Sequence, residues 1–137
     1  MAQKQVLIVV GSQSDEERIA PAFTVLNEAG VGYDFVVSSA HRDPDKTAQI
    51  AKEAKQNGYR VIIAGAGLAA ALPGTVAAHS DLPVVGVPFD VGPLRGVDAL
   101  YAITQLPSGC PVGTVGIGNA KNAALLAIRI LQASADS

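Results

Sequence analysis

A chain of 137 residues with a formal net charge of −2 is long enough to build its own core, and we expect residues 1–137 to form a single domain. Hydrophobic residues at 49% exclude a disordered chain, 12 acidic against 10 basic residues argue against a nucleic-acid binder, and one cysteine excludes a disulfide scaffold. No apolar run reaches the length of a membrane-spanning helix and the first residues lack a signal-peptide pattern, so we expect a cytoplasmic protein without a membrane partner.

Predicted strands and helices alternate along the whole chain. Continuous apolar runs such as residues 5–10 are typical of strands buried on both faces, and glycines such as Gly30 and Gly58 end the helical patterns. In chain order we predict a strand at 5–10, a helix at 15–29, a strand at 33–38, a helix at 43–57, a strand at 60–64, a helix at 72–80, a strand at 82–88, a helix at 97–106, a strand at 112–117 and a helix at 119–133. Pro21 predicts a kink in the first helix or a later start for it.

This alternation predicts one fold class. Five strands separated by helices favour a parallel sheet covered on both faces, which is a three-layer α/β/α sandwich of the flavodoxin-like or Rossmann-like type. Ligands of such sheets bind beyond the carboxyl ends of the strands. The residues that follow each strand are therefore the candidates for a functional site.

The loop after the first strand, residues 11–15, runs directly into a helix. Free backbone N–H groups at a helix start attract anions, and Ser12 and Ser14 add hydroxyl donors. Asp15 would repel a phosphate but suits a pair of ribose hydroxyls. The alternative interpretation is an ordinary capping loop, because Ser and Asp favour that position in any protein.

A histidine and an arginine follow the second strand. Arg42 offers a planar fork for a phosphate or carboxylate, and a histidine such as His41 can move a proton near neutral pH. A solvated surface pair is the alternative. Asp43 and Pro44 are expected to be structural, as a helix cap and a first-turn proline.

Small residues follow the third strand, at 65–74. Two glycines and a run of alanines let the backbone approach a flat ligand, although tight packing of helix on sheet would use the same residues. The loop at 88–96 is long enough to be a binding flap, and 116–119 is a further candidate anion site. His79 is expected at the surface and Cys110 as a small filler, so we predict no metal site.

Together these segments resemble the PurE family, the N5-carboxyaminoimidazole ribonucleotide mutases of purine biosynthesis. The resemblance follows the chain in order and covers nearly all of it. It rests on residues 11–15, 39–42, 65–67, 72–74, 82–88, 96–100 and 122–127. Arg42 directly after His41 is similar to the mutase class, whereas the animal-type carboxylases that use free CO2 have Lys at that place.

The resemblance implies a mechanism without a metal or an organic cofactor. The carboxyl group leaves the exocyclic nitrogen of the ribonucleotide as CO2, carbon 4 of the aminoimidazole captures it, and His41 as general acid/base removes the proton from that carbon. Family members assemble as homo-octamers, which would explain why only 16% of the residues are charged. The implied substrate-binding residues are Ser14, Ser39 and Arg42 for the phosphate, Asp15 for the ribose, and Ser12, Gly65, Ala66, Gly67 and Leu68 for the base and carboxylate.

Three features depart from the family pattern. Ala71 stands where the family usually has a histidine before Leu-Pro-Gly, the loop at 117–122 is shorter, and the sequence stops at Ser137 before the usual C-terminal helix. Ala71 supports the alternative of a PurE-like paralogue that binds a ribonucleotide with different carboxylation chemistry or none. A flavodoxin or receiver-like binding module fits poorly, because residues 65–67 carry no acid and the chain has few aromatic residues to enclose a flavin.

Overall fold

The computed structural model describes residues 3–135, which form one sheet flanked by helices. The strands are β1 (Lys4–Val10), β2 (Gly32–Val37), β3 (Val61–Ala66), β4 (Val84–Pro88) and β5 (Gly113–Thr114). The helices are α1 (Glu16–Glu28), α2 (Pro44–Glu53), α3 (Leu72–His79), α4 (Val97–Thr104) and α5 (Ala120–Ala135), and a 3-10 turn at Gln13–Asp15 precedes α1. None of these helices is long and apolar enough to cross a membrane.

The sheet has the order β2-β1-β3-β4-β5, and every neighbouring pair is parallel. One face packs against α1 and α5 and the other against α2, α3 and α4, so each face has its own apolar core. The central strands β1, β3 and β4 are buried on both faces, which explains their continuous apolar runs. The predicted α/β sandwich of the flavodoxin-like type is confirmed.

Register brings the carboxyl ends of three strands to one level. Val10 at the end of β1 pairs with Val37 of β2 on one side and with Gly65 of β3 on the other. The loops that follow these three strands therefore start side by side at the same edge of the sheet. This edge is where the chain order of the strands reverses, the usual ligand site of such folds.

Several element boundaries differ from the prediction. Strand β5 is only Gly113–Thr114, because it is an edge strand that pairs with β4 alone before the chain turns at Gly118. Helix α2 ends at Glu53, and turns continue from there to Gly58. Helix α1 keeps Pro21 inside it and still begins at Glu16, so a later start was wrong.

A hydrogen-bonded group ties β1 and β2 to the segment before β3. Lys4 Nζ donates to Asp34 Oδ1 over 2.8 Å, and the Tyr59 hydroxyl donates to Asp34 Oδ2 over 2.5 Å. The bonds from Lys4 and Tyr59 lower the pKa of Asp34. Burial, together with the Asp34 bond, raises the pKa of Tyr59 to about 12.

The raised pKa of Tyr59 makes the stability of the fold decrease at high pH. The fold keeps Tyr59 protonated at pH values where an unfolded chain would ionise it. The contribution of the protonated Tyr59 to the free energy of unfolding is therefore complete below about pH 10 and is lost as the pH rises towards 12. We expect an absorbance titration of the three tyrosines to contain one late phase near pH 12. Tyr59→Phe should remove that phase and Asp34→Asn should move it to lower pH. A late phase that survives in Tyr59→Phe would contradict the assignment.

Candidate functional site

The three loops at the common sheet edge enclose a cleft of about 330 Å³. Eight of the ten predicted site residues line it, which brings the histidine, the arginine and the carboxylate of the prediction together. The lining consists of Gly11, Ser12, Asp15, Ser39, Ala40, His41, Arg42, Ala66, Gly67, Leu68, Ala69, Ala70, Ala71 and Leu72. Ser14 and Gly65 are the two predicted residues outside this lining.

The loop after β1 is a tight turn that the Ser12 side chain stabilises. Ser12 Oγ accepts a hydrogen bond from the Ser14 backbone N–H over 3.3 Å, and the two hydroxyl oxygens lie 3.0 Å apart. The turn leaves Ser12 at the cleft and Ser14 beside it, on the exposed side towards Glu17. The predicted contact of Ser14 with a phosphate therefore stays a prediction.

Asp15 is held in place by an arginine that the sequence interpretation missed. Arg18 Nη1 donates to Asp15 Oδ1 over 2.8 Å and to the Ser14 carbonyl oxygen over 3.1 Å. The Asp15 side chain is mostly buried while that of Arg18 is partly exposed, so Asp15 keeps one fixed orientation at the cleft. The spacing of three residues on a helix start was the available sign of this ion pair.

A buried hydroxyl pair fixes the loop that carries the histidine. Ser38 and Thr47, 3% and 1% exposed, have their hydroxyl oxygens 2.7 Å apart. Thr47 Oγ1 also lies within hydrogen-bond distance of the carbonyl oxygens of Ser39, at 3.1 Å, and Asp43, at 3.0 Å. Asp43 occupies the predicted N-cap position of α2 and Pro44 lies in its first turn, but the Asp43 side chain makes no capping bond. The Thr47 hydroxyl holds this turn instead.

Removing the Thr47 hydroxyl should therefore loosen the site. We expect Thr47→Val to lower the free energy of unfolding by about 1–3 kcal/mol, because the shape is kept while the buried Ser38 hydroxyl loses its partner. Urea unfolding measures this. Thr24→Val, at an exposed position of α1, is the matched control. Ser38→Ala combined with Thr47→Val should cost less than Thr47→Val alone, and equal costs for Thr47→Val and Thr24→Val would contradict the role.

His41 and Arg42 both lie exposed on the cleft wall. Within residues 3–135 neither side chain has a hydrogen bond or ion-pair partner, so both are available to a ligand. The Arg42 backbone N–H donates to Ser39 Oγ over 3.1 Å, which shapes the turn and leaves the hydroxyl proton of Ser39 free to bind an anion. The wall thus offers one permanent cation, one proton carrier and one hydroxyl donor.

Small residues form the floor and the opposite wall. Gly65 is buried in β3, and a Cβ atom there would lie 2.4 Å from Cζ of Phe89, so this glycine makes room for a core ring rather than for a ligand. Gly67 and Leu68 do line the cleft, and Ala71 lies at its edge before α3. The structure thus puts the position of the atypical alanine within the candidate site.

The remaining sequence candidates lie elsewhere. His79 ends α3 with its ring Nδ1 2.9 Å from the Thr75 carbonyl oxygen, and it is half-buried rather than freely exposed. Cys110 is a half-buried free thiol packed against the second core. In the part of the chain that the structure describes, no three His, Cys, Asp or Glu side chains come together as metal ligands. Gly11, Ala40 and Leu72 also line the cleft. They lie in the segments singled out in the sequence but were not named as site residues, because small and apolar side chains carry no chemical pattern.

Comparison with known proteins gives one consistent picture. The family described as AIR carboxylase matches residues 5–137, a range that includes every lining residue of the cleft. Two proteins named N5-carboxyaminoimidazole ribonucleotide mutase are each 53% identical: that of Synechocystis sp. over 90% of this chain and 70% of its own, and that of Saccharolobus solfataricus over 93% and 80%. The crystal structure of Treponema denticola PurE superposes with a TM-score of 0.85 at 28% identity, covering 96% of this chain and 82% of that one.

Proposed function

The chain belongs to the AIR carboxylase family, and from that premise we propose that it interconverts N5-carboxyaminoimidazole ribonucleotide and 4-carboxy-5-aminoimidazole ribonucleotide in purine biosynthesis. The observation that carries this proposal is the cleft that brings His41, Arg42 and Asp15 together at the carboxyl edge of the sheet. These groups supply a proton carrier, a phosphate ligand and an acceptor for ribose hydroxyls within one site of about 330 Å³.

The reaction moves a carboxyl group from nitrogen to carbon. The N–C bond breaks and releases CO2, and a new C–C bond forms at carbon 4, which then carries both a hydrogen and the carboxylate. The neutral imidazole of His41 accepts that hydrogen as a proton, which restores the aromatic ring. The exocyclic nitrogen takes up one proton in place of the carboxyl group it lost, so the reaction neither consumes nor releases protons overall. His41 suits this work because its exposed ring has no partner within residues 3–135 that would hold its nitrogen atoms.

The remaining residues bind and orient the ribonucleotide. Arg42 and Ser39, adjacent on one wall, take the 5′-phosphate, and Ser14 contributes where the phosphate extends beyond the cleft. Asp15, oriented by Arg18, accepts the ribose hydroxyls. Ser12 and the backbone of residues 65–68 face the base and its carboxylate, with Gly65 acting through the packing of that segment.

Direct turnover is the test. The purified chain is given N5-carboxyaminoimidazole ribonucleotide, and the conversion is followed in both directions without added metal. Turnover in both directions supports the proposal. Binding of aminoimidazole ribonucleotide without any turnover would overturn it and favour the paralogue, which Ala71 in the cleft supports. Ala71→His separates two cases further: a large gain in rate means that the native site is impaired, and no gain means that it is complete without a second histidine.

We also propose that the protein assembles as a homo-octamer in the cytoplasm. Large apolar side chains stay exposed on α4 and α5 and in the loop before α4, among them Tyr101 at 60% and Leu94 at 59%. A surface with few charges and such side chains is typical of contacts between subunits. We expect light scattering to give eight times the chain mass, and a smaller mass for Leu94→Glu combined with Tyr101→Glu. Gln56→Glu, exposed after α2, is the control, and a monomeric wild type would contradict the octamer.

A further inference from the structure

Leu68 lines the cleft with a backbone conformation that leucine rarely adopts. Its φ is +54°, in the left-handed region, and its side chain is 48% exposed. The Ala70 N–H donates to the Leu68 carbonyl oxygen over 2.8 Å, which holds the turn. A residue with a Cβ atom is strained in this region, because the Cβ approaches a carbonyl oxygen of the backbone, and such strain clusters at functional sites.

Residues 65–68 pack against the loop that follows β4. Phe89 fills the space above Gly65, and Val91 lies 3.1 Å from the place of a Cβ on Gly67. In the third contact the side chain belongs to residues 65–68 and the glycine to the loop: Leu68 Cδ2 lies 2.5 Å from the place of a Cβ on Gly92, whose φ is +81°. Leu68 is thus the side chain through which the cleft wall contacts the loop at Gly92.

We propose that Leu68 is a positioning residue that closes the cleft over the bound ribonucleotide by packing on Gly92, so that water is excluded while the carboxyl group moves; this rests on the proposed function. The neighbouring Ala69, Ala70 and Ala71 are too short to cover a ligand. An apolar cover suits a step in which the released carboxyl group must meet carbon 4 before it meets solvent.

An open cleft predicts a defined side reaction. When the N–C bond breaks and CO2 escapes, the exocyclic nitrogen takes a proton and aminoimidazole ribonucleotide is left instead of the C4-carboxylated product. The share of substrate that ends as aminoimidazole ribonucleotide, after subtraction of a sample without protein, measures how well the cleft is closed.

Three substitutions separate the cover from the fold. Leu68→Gly removes the side chain and the strain, Leu68→Asn keeps a residue that tolerates the left-handed region but is polar, and Leu68→Met keeps an apolar cover. We expect Leu68→Gly and Leu68→Asn to raise KM by roughly 3- to 10-fold and to raise the share of aminoimidazole ribonucleotide. Leu68→Met should keep both KM and the share of aminoimidazole ribonucleotide close to their wild-type values. The thermal midpoint of Leu68→Gly should not fall, which excludes unfolding as the cause.

The loop contact has its own test. Gly92→Ala places a methyl group against Leu68 Cδ2. With Leu68 present, we expect this substitution to raise the share of substrate that ends as aminoimidazole ribonucleotide. The increase should be smaller in the Leu68→Gly background, where the clash is absent. Equal effects in both backgrounds, or an unchanged product ratio and KM in Leu68→Gly, would overturn the inference.

Failure of the proposed function is distinguishable from failure of this inference. A wild type without turnover removes the function, and binding of aminoimidazole ribonucleotide then decides about Leu68. Affinity that falls several-fold in Leu68→Gly and Leu68→Asn and is kept in Leu68→Met supports the cover. Affinity that is equal in all variants overturns it.

Discussion

Replacing His41 by Asn is expected to lower kcat by a factor of about 10²–10⁴, the usual contribution of one positioned acid or base. Asn keeps a polar side chain of similar size but cannot accept the proton of carbon 4 at neutral pH. Because His41 is exposed and has no bonded partner within residues 3–135, its replacement should leave the fold unchanged. Single-turnover measurements of product formation, with the urea midpoint as a check on folding, test this.

Binding distinguishes a proton carrier from a simple ligand contact. Aminoimidazole ribonucleotide should bind His41→Asn with an affinity close to that of the wild type, because the phosphate and ribose contacts of Arg42 and Asp15 remain. His79→Asn is the matched control, since His79 ends α3 and lies outside the lining of the cleft. If His41→Asn lost affinity and turnover by the same factor, or kept most of its rate, the assigned role would be wrong.

The sequence predicted the fold and the edge of the sheet because both depend on local patterns. Apolar runs identify buried strands one by one, and a parallel sheet brings the residues that follow them to one edge. His41 and Arg42 were predictable for this reason, as they lie in the short loop between the strand β2 and the helix α2, which has Pro44 in its first turn. No side-chain contact between distant segments was needed for these predictions.

The details that the sequence could not predict depend on contacts between segments. The 3-10 turn that Ser12 caps decides whether Ser14 faces the cleft. A loop before a helix can form with or without such a turn, so the sequence does not show which side Ser14 takes. The bond between Ser38 and Thr47 joins a strand end to a helix, and serine and threonine at these places would look the same if both were exposed. Gly65 belonged to a glycine-rich segment that suited a ligand, but its neighbour is a ring 24 residues later.

The Gly65 contact predicts a large effect on stability. An alanine Cβ at Gly65 would lie 2.4 Å from Cζ and 3.0–3.1 Å from Cε2 and Cε1 of Phe89. Neither side can yield easily, because Phe89 is fully buried and its backbone N–H donates to the Ala66 carbonyl oxygen over 2.9 Å. We expect Gly65→Ala to lower the free energy of unfolding by about 1–3 kcal/mol, the usual cost of overpacking a core.

The control is Gly113→Ala, where the nearest atom outside the neighbouring residues, the Val84 carbonyl oxygen, lies at 3.9 Å and the expected change is within about 0.5 kcal/mol. Urea unfolding at one fixed protein concentration compares the two variants, since assembly changes apparent stability. Phe89→Leu in the Gly65→Ala background should recover part of the loss relative to the sum of the single changes. Costs that add without coupling would contradict the steric explanation. If Gly65→Ala kept its stability and lost the ribonucleotide instead, Gly65 would contact the ligand, as the sequence first indicated.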